Sequence, residues 1–167
     1  MSKADKSVNV ADVDKSVEAG KYLTFALADE EYGLEILQVR EIIGLIDITS
    51  VPKMPDFVKG VVNLRGKIIP VIDLRLKFGM QAVEYSRETC IIVLSIRNNL
   101  VGVIVDNVCE VLDIEQDRIE PAPSFGININ TDFIMGMGKV EGAVVILLDI
   151  EKVMTQEDLS MINEMTE

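Results

Sequence analysis

Histidine and tryptophan are both missing from the 167 residues, and cysteine occurs only twice. Without histidine, the commonest general base and the commonest metal ligand are gone. Cys90 and Cys109 lack metal-ligand spacing, so they read as two reduced, buried thiols of a cytosolic protein, and no metal or other cofactor is expected. No nucleophile elbow, phosphate-cradling glycine loop or Cys-x-x-Cys is present. Among the 28 acidic residues no carboxylate pair stands out, so the chain does not read as an enzyme. Positive charge is also scarce: 16 Lys and Arg leave a net charge of -12, which argues against a nucleic-acid or anionic-membrane partner, since both need a basic footprint. No apolar run approaches the roughly 18 residues that would span a bilayer, so no membrane insertion is expected. The opening residues 1–20 mix Lys, Asp, Glu and Ser without the apolar core of a signal peptide, and read as a flexible tail on a chain that is not exported.

What the chain does have is aliphatic bulk. Hydrophobic residues make up 49% of it and aromatic ones only 5%, so a core of Ile, Val and Leu is expected, in one ordinary domain or two very small ones. The organising stretch is Gly60-Val-Val-Asn-Leu-Arg-Gly-Lys-Ile-Ile-Pro-Val-Ile-Asp-Leu-Arg75, a hairpin with its turn at Asn63 to Lys67. A weaker copy returns later: Phe57, Gly60, Gly66 and Asp73 reappear as Phe133, Gly136, Gly142 and Asp149, a constant spacing of 76. Upstream, Gly33, Val39, Glu41 and Pro52 reappear as Gly102, Val108, Glu110 and Pro121 at a spacing of 69. The difference falls in Ala122 to Asp132, which replaces the shorter Lys53 to Asp56, as a surface-loop insertion would.

An internal duplication follows. Tyr22 to Leu27 and Tyr32 to Ile36 read as a hairpin, Cys90 to Ile96 and Leu100 to Val105 as its counterpart, with Arg97-Asn98-Asn99 as turn chemistry. Ile36, Val39, Ile42 and Ile43 recur at three and four residues and predict one short helix, echoed by Asn107 to Leu112. Thr155 with Asp158 resembles a capping box for a terminal helix whose Leu159, Ile162 and Met165 share a face. The expected fold class is all-β: two five-stranded β-barrel subdomains related by a pseudo-twofold, with short helices and a C-terminal helix. The first barrel would span 21–83, the second 89–154 and the helix 155–167, the polar Glu84 to Glu88 marking the break.

The duplication also sorts residues by role. Those that agree between copies serve the barrel, and Asp73 and Asp149 are expected to be a repeated turn or cap. A charged residue present in one copy only has no such structural reason. Arg65 faces Glu141 and Arg40 faces Cys109, and Arg65 sits in an exposed turn from which a guanidinium can reach a partner's carboxylate. Glu41 and Glu110 agree, so structure and function compete there.

Glu31-Tyr-Gly-Leu-Glu-Ile36, Val39-Arg-Glu-Ile42, Gly60-Val-Val-Asn-Leu-Arg-Gly66 and Pro70-Val-Ile-Asp-Leu-Arg75, followed by Val103-Ile-Val-Asp106 and Arg118-Ile-Glu-Pro-Ala-Pro123, together resemble the CheW family of bacterial chemotaxis coupling proteins. The resemblance runs from about Tyr22 to the end. It implies two five-stranded barrels about a pseudo-twofold. It also implies a cytoplasmic adaptor that joins the tips of methyl-accepting chemoreceptors to the regulatory domain of the histidine kinase CheA at the membrane-associated array. Carried over by motif, Ile36, Val39, Glu41 and Arg65 would form the receptor-binding groove, and Gly60 and Gly102 would hold backbone positions that the groove or barrels need. Two other readings stay open: a coupling module cut from a larger chemotaxis protein, against which length and the lack of a second domain count, and a small-ligand-binding β-barrel.

Overall fold

The computed structural model describes residues 8–9, 20–122 and 132–166. In chain order the strands are β1 (Val8–Asn9), β2 (Lys21–Leu27), β3 (Glu30–Glu35), β4 (Val39–Gly44), β5 (Val58–Leu64) and β6 (Lys67–Asp73). After the one-turn helix α1 (Leu74–Lys77) come β7 (Cys90–Ile96), β8 (Asn99–Val105), β9 (Asn107–Asp113), β10 (Ile119–Glu120), β11 (Ile134–Val140) and β12 (Ala143–Leu148). Helices α2 (Ile150–Val153) and α3 (Gln156–Thr166) finish the chain. The hairpin turns follow from their residues. Arg65-Gly66, Arg97-Asn98 and Glu141-Gly142 all take positive φ, the geometry whose twist matches two antiparallel strands. Asn63 Oδ1 accepts the Gly66 N–H at 2.8 Å and closes the first of these turns.

Two sheets result, in the orders β1-β4-β7-β8-β6-β5 and β10-β11-β12-β3-β2-β9. Each therefore mixes strands from both copies: β7 and β8 of the second copy complete the first sheet, and β2 and β3 of the first copy complete the second. The spans 21–83 and 89–154 follow the duplicated sequence, but the packed units exchange hairpins. The pseudo-twofold is nonetheless reproduced in detail. Val71 pairs with Gly102 across the parallel β6–β8 contact, and Leu147 with Gly33 across β12–β3, which are the same positions in the two copies. Register slips in the equivalent β4–β7 and β9–β2 ladders, at Val39/Glu41 and between Val108 and Val111, and at the equivalent residues Val58/Gly60 and Ile134/Gly136.

The mostly β, two-subdomain architecture is as expected, with two corrections. The ladders are six-stranded and open rather than closed five-stranded barrels. In the first subdomain the segment after β4 meets β5 through the isolated bridge of Thr49 to Val61, and in the second the 3-10 turn Gln116–Arg118 separates β9 from β10. The helix expected over Ile36 to Ile43 is a 3-10 turn at Ile36–Gln38 followed by strand β4, and its echo at Asn107 is strand β9. A β-bulge at Arg40 is the reason: one extra residue makes Val39 and Ile42 face the same side at a spacing of three.

Alternation divides the aliphatic residues into three layers. Ile92, Leu94 and Ile96 of β7 join Leu23, Phe25 and Leu34 in a large layer between the sheets, while Ile91 and Val93 face the other way, with Ile69, Val71 and Ile104, inside the first subdomain. Tyr22, Ile114, Val145 and Leu147 fill the second. Among the described residues aliphatic side chains occupy both interiors, as in small barrels filled by their own residues. Asp73 and Asp149 are equivalent N-caps, accepting the N–H of Leu76 at 3.3 Å and of Glu151 at 3.2 Å. Asp73 is buried and also accepts the Tyr85 hydroxyl at 2.8 Å, so burial first and this bond second push the Tyr85 phenol well above its ordinary value.

Helix α3 starts as its sequence predicts. Asp158 N–H donates to Thr155 Oγ1 at 3.0 Å while Thr155 N–H donates back to Asp158 Oδ2 at 3.1 Å. Leu159 and Ile162 enter the layer between the sheets, and Lys77 of α1 pins Asp158 at 2.7 Å. The side chain of Met165 lies outside the described residues, as do residues 123–131 of the loop insertion and most of the tail at 1–20.

Candidate docking site

Arg65 and Glu41 meet across the open face of the first sheet. Arg65 occupies the left-handed turn between β5 and β6, and its guanidinium donates through Nη2 to Glu41 Oε1 on β4. The pair is lopsided in exposure: 65% of the Arg65 side chain is open to solvent against 10% of Glu41. The hydrogen bond and the charge of Glu41 hold the Arg65 guanidinium firmly protonated. Around the pair lies an open depression of about 580 Å³ with Ile69, Val93 and Leu100 among its apolar lining and Arg40, Arg65 and Lys67 at its rim. Three cations thus surround one largely buried carboxylate. That arrangement suits an acidic or mixed-charge protein surface with an apolar contact at its centre.

The other two expected groove residues lie elsewhere. The bulge at Arg40 turns Val39 to the opposite side of the sheet from Glu41, and both Val39 (1% exposed) and Ile36 (2%) are sealed in the layer between the sheets. The structure therefore brings together Glu41 and Arg65 but not Ile36 and Val39 with them. Exposed apolar side chains near that layer were missed by sequence reasoning. Leu37 in the 3-10 turn is 42% exposed, and Val111 of β9, which stands where β4 has the buried Ile42, is 48% exposed. The spacing of 69 pairs Val111 with Ile42, both aliphatic, and so gave no sign that Val111 would be exposed.

The two glycines leave room for close neighbours, backbone at Gly60 and side chains at Gly102. A side chain at Gly60, whose φ is +143, would place its Cβ 2.0 Å from the Thr49 carbonyl oxygen. At Gly102 a Cβ would come within 2.8 Å of Ile91 Cγ2 and 3.4 Å of Val71 Cγ2, inside the first subdomain. Both positions let neighbouring strands approach. Among the described residues no group of three acidic or sulfur side chains is placed to hold a metal ion, and no helix is long and apolar enough to cross a membrane.

Fold and site together define a class: a duplicated pair of small β subdomains with filled interiors and a charged, shallow surface site. A CheW-like domain profile matches residues 21–158, and the chain belongs to the CheW-like family. It is 43% identical over 143 residues to the chemotaxis protein CheW of Klebsiella aerogenes, covering 86% of each chain. It is 34% identical over 140 residues to the chemotaxis protein CheW of Helicobacter pylori, covering 84% of each. The crystal structure of the scaffolding protein TtCheW from Thermoanaerobacter tengcongensis superposes with a TM-score of 0.75 at 38% identity, covering 83% of this chain and 94% of that one.

Proposed function

We propose that this chain is a cytoplasmic chemotaxis adaptor that joins the tips of chemoreceptors to the histidine kinase CheA at the receptor array and performs no chemical step. The observation that carries this reading is that the similarity to the scaffolding protein runs through both subdomains, over 94% of that chain. In the proposed mode a helical receptor tip is held by its charges at Arg65 and Glu41 and by its apolar face at exposed aliphatic side chains such as Leu37. Ile36 and Val39 back that surface from beneath, and Gly60 and Gly102 let the strands beneath it pack closely. The kinase's regulatory domain meets the exposed ends of the subdomains. Shallow sites of this kind suit contacts of modest area that can exchange within an array.

Co-sedimentation tests the reading. Receptor fragments, CheA and this chain are combined singly, in pairs and all together. The kinase is expected to sediment with receptor, and its activity to respond to receptor, only when this chain is present. Sedimentation of the kinase that is the same with and without the chain would overturn the proposal.

A further inference from the structure

Among the described residues the chain crosses from one sheet to the other at two corners. It passes from β3 to β4 through Ile36–Gln38, and from β8 to β9 through Asp106. Leu37 and Asp106 occupy equivalent places, yet the corners are built differently. The first carries no side-chain cap and leaves Leu37 half exposed. At the second, Arg75 Nε donates to Asp106 Oδ1 at 2.8 Å and Nη2 to Oδ2 at 2.6 Å. The Ala28 N–H adds a third bond to Oδ2 at 2.8 Å, and the Asp106 N–H itself donates to the Ala26 carbonyl at 3.1 Å.

These bonds join three separate pieces. Arg75 and Asp106 both stand just past the ends of β6 and β8, parallel neighbours in the first sheet whose Asp73 and Ile104 are paired; Ala26 and Ala28 belong to the end of β2 and its turn, in the second sheet, so Asp106 makes the crossing bonds and Arg75 braces its carboxylate. The Arg75 and Asp106 side chains are only 17% and 25% exposed, so solvent screens the pair weakly. A planar guanidinium bonded twice to one carboxylate fixes orientation as well as distance, which a single-point ion pair does not. Nor does the duplicated fold require it, because the position equivalent to Arg75 is Glu151 and that equivalent to Asp106 is Leu37.

We propose that Asp106, braced by Arg75 and bonded across to Ala26 and Ala28, is a latch that sets the angle between the two sheets, with the opposite, uncapped corner at Leu37 as its pivot. By holding that angle it presents Leu37 and the open margin of the inter-sheet layer in one arrangement. A preformed surface binds a rigid helical tip without first having to be ordered. This last consequence rests on the receptor-docking reading; the latch itself does not.

The test uses the full chain with Cys90→Ser and Cys109→Ser, and spin labels on Ile68→Cys and Val144→Cys. These exposed positions lie on β6 and β12 and so report on different sheets. In Arg75→Ala and in Asp106→Ala the distance distribution is expected to broaden while the melting transition stays cooperative. Arg75→Lys, with one contact point, should fall between, and Asp106→Asn, which keeps an acceptor for the Ala28 N–H, should broaden the distribution less than Asp106→Ala. Receptor-tip affinity is expected to drop about threefold in the single variants, because apparent affinity scales with the fraction of chain at the competent angle. An unchanged distribution in both alanine variants overturns the latch. Broadening with unchanged receptor affinity supports the latch and overturns its link to docking.

Discussion

The mouth of the first subdomain and its counterpart in the second share a fold and oppose each other in charge. At the first stand Arg40, Glu41, Arg65, Lys67, Asn98 and Leu100; at the equivalent places of the second stand Cys109, Glu110, Glu141, Ala143, Asp29 and Glu31. One set carries three cations and one carboxylate, the other four carboxylates and no cation. Yet the bulges, turns, caps and close glycines recur in both. A duplicated module thus separates what the backbone demands from what has been free to diverge, and the divergence is concentrated in surface charge. Opposite charges on related surfaces favour different partners, since like-charged contacts are penalised.

Five substitutions sharpen that contrast. The largest effect is expected from Val39→Asp, which puts a carboxylate into the aliphatic layer between the sheets. Stability measured by urea unfolding should fall by about 4 kcal/mol, with any loss of receptor binding following from unfolding. Loss of binding at unchanged stability would instead make Val39 a contact residue. Next comes Gly60→Ala, expected to cost about 3 kcal/mol because the added Cβ strikes the Thr49 carbonyl at a backbone angle that alanine avoids. Gly136→Ala should cost less, because its φ lies outside the left-handed region, although its Cβ would meet an Ile119 side-chain methyl at 2.6 Å and the Glu120 carbonyl oxygen at 2.9 Å. Equal costs would mean that the two copies are strained alike. The smallest change in the fold is expected from Arg65→Glu, which puts at that one position the charge that the second subdomain has there, at Glu141. Circular dichroism should be unchanged while receptor-tip binding weakens by about 1 to 3 kcal/mol. The converse change, Glu141→Arg, should leave that binding as it was. Calorimetry on both variants checks the pair.

Much of this architecture could be read in advance, for identifiable reasons. The hairpins announced themselves through alternation and through Arg65-Gly66 and Arg97-Asn98, whose turn geometry few residues tolerate. The caps at Asp73 and Asp149 followed from their repetition. The helix expected over Ile36 to Ile43 did not form, because a strand carrying a bulge imitates helical spacing, and no local pattern distinguishes the two. Val39 was grouped with Glu41 by motif resemblance, and the bulge at Arg40, invisible in the sequence, sends them to opposite faces. Pairing across copies was equally hidden, since a constant offset shows that two segments are alike and not which of them become neighbours. The Arg75–Asp106 contact depends on that exchange and shared its invisibility.

Interleaving of the copies has a consequence for how the chain comes into being. When synthesis has reached Glu84, β6 has no parallel neighbour, β4 still lacks β7, and β2 and β3 await partners that have yet to be made. Neither half is a self-sufficient unit, although each looks like one on paper. Fragments 20–86 and 87–167, produced separately, are expected to be largely unstructured and to regain native strand content when mixed. Independent folding of either fragment would contradict the interlocked topology. A cut in the polar linker of the finished protein should, by the same logic, leave two pieces that travel together.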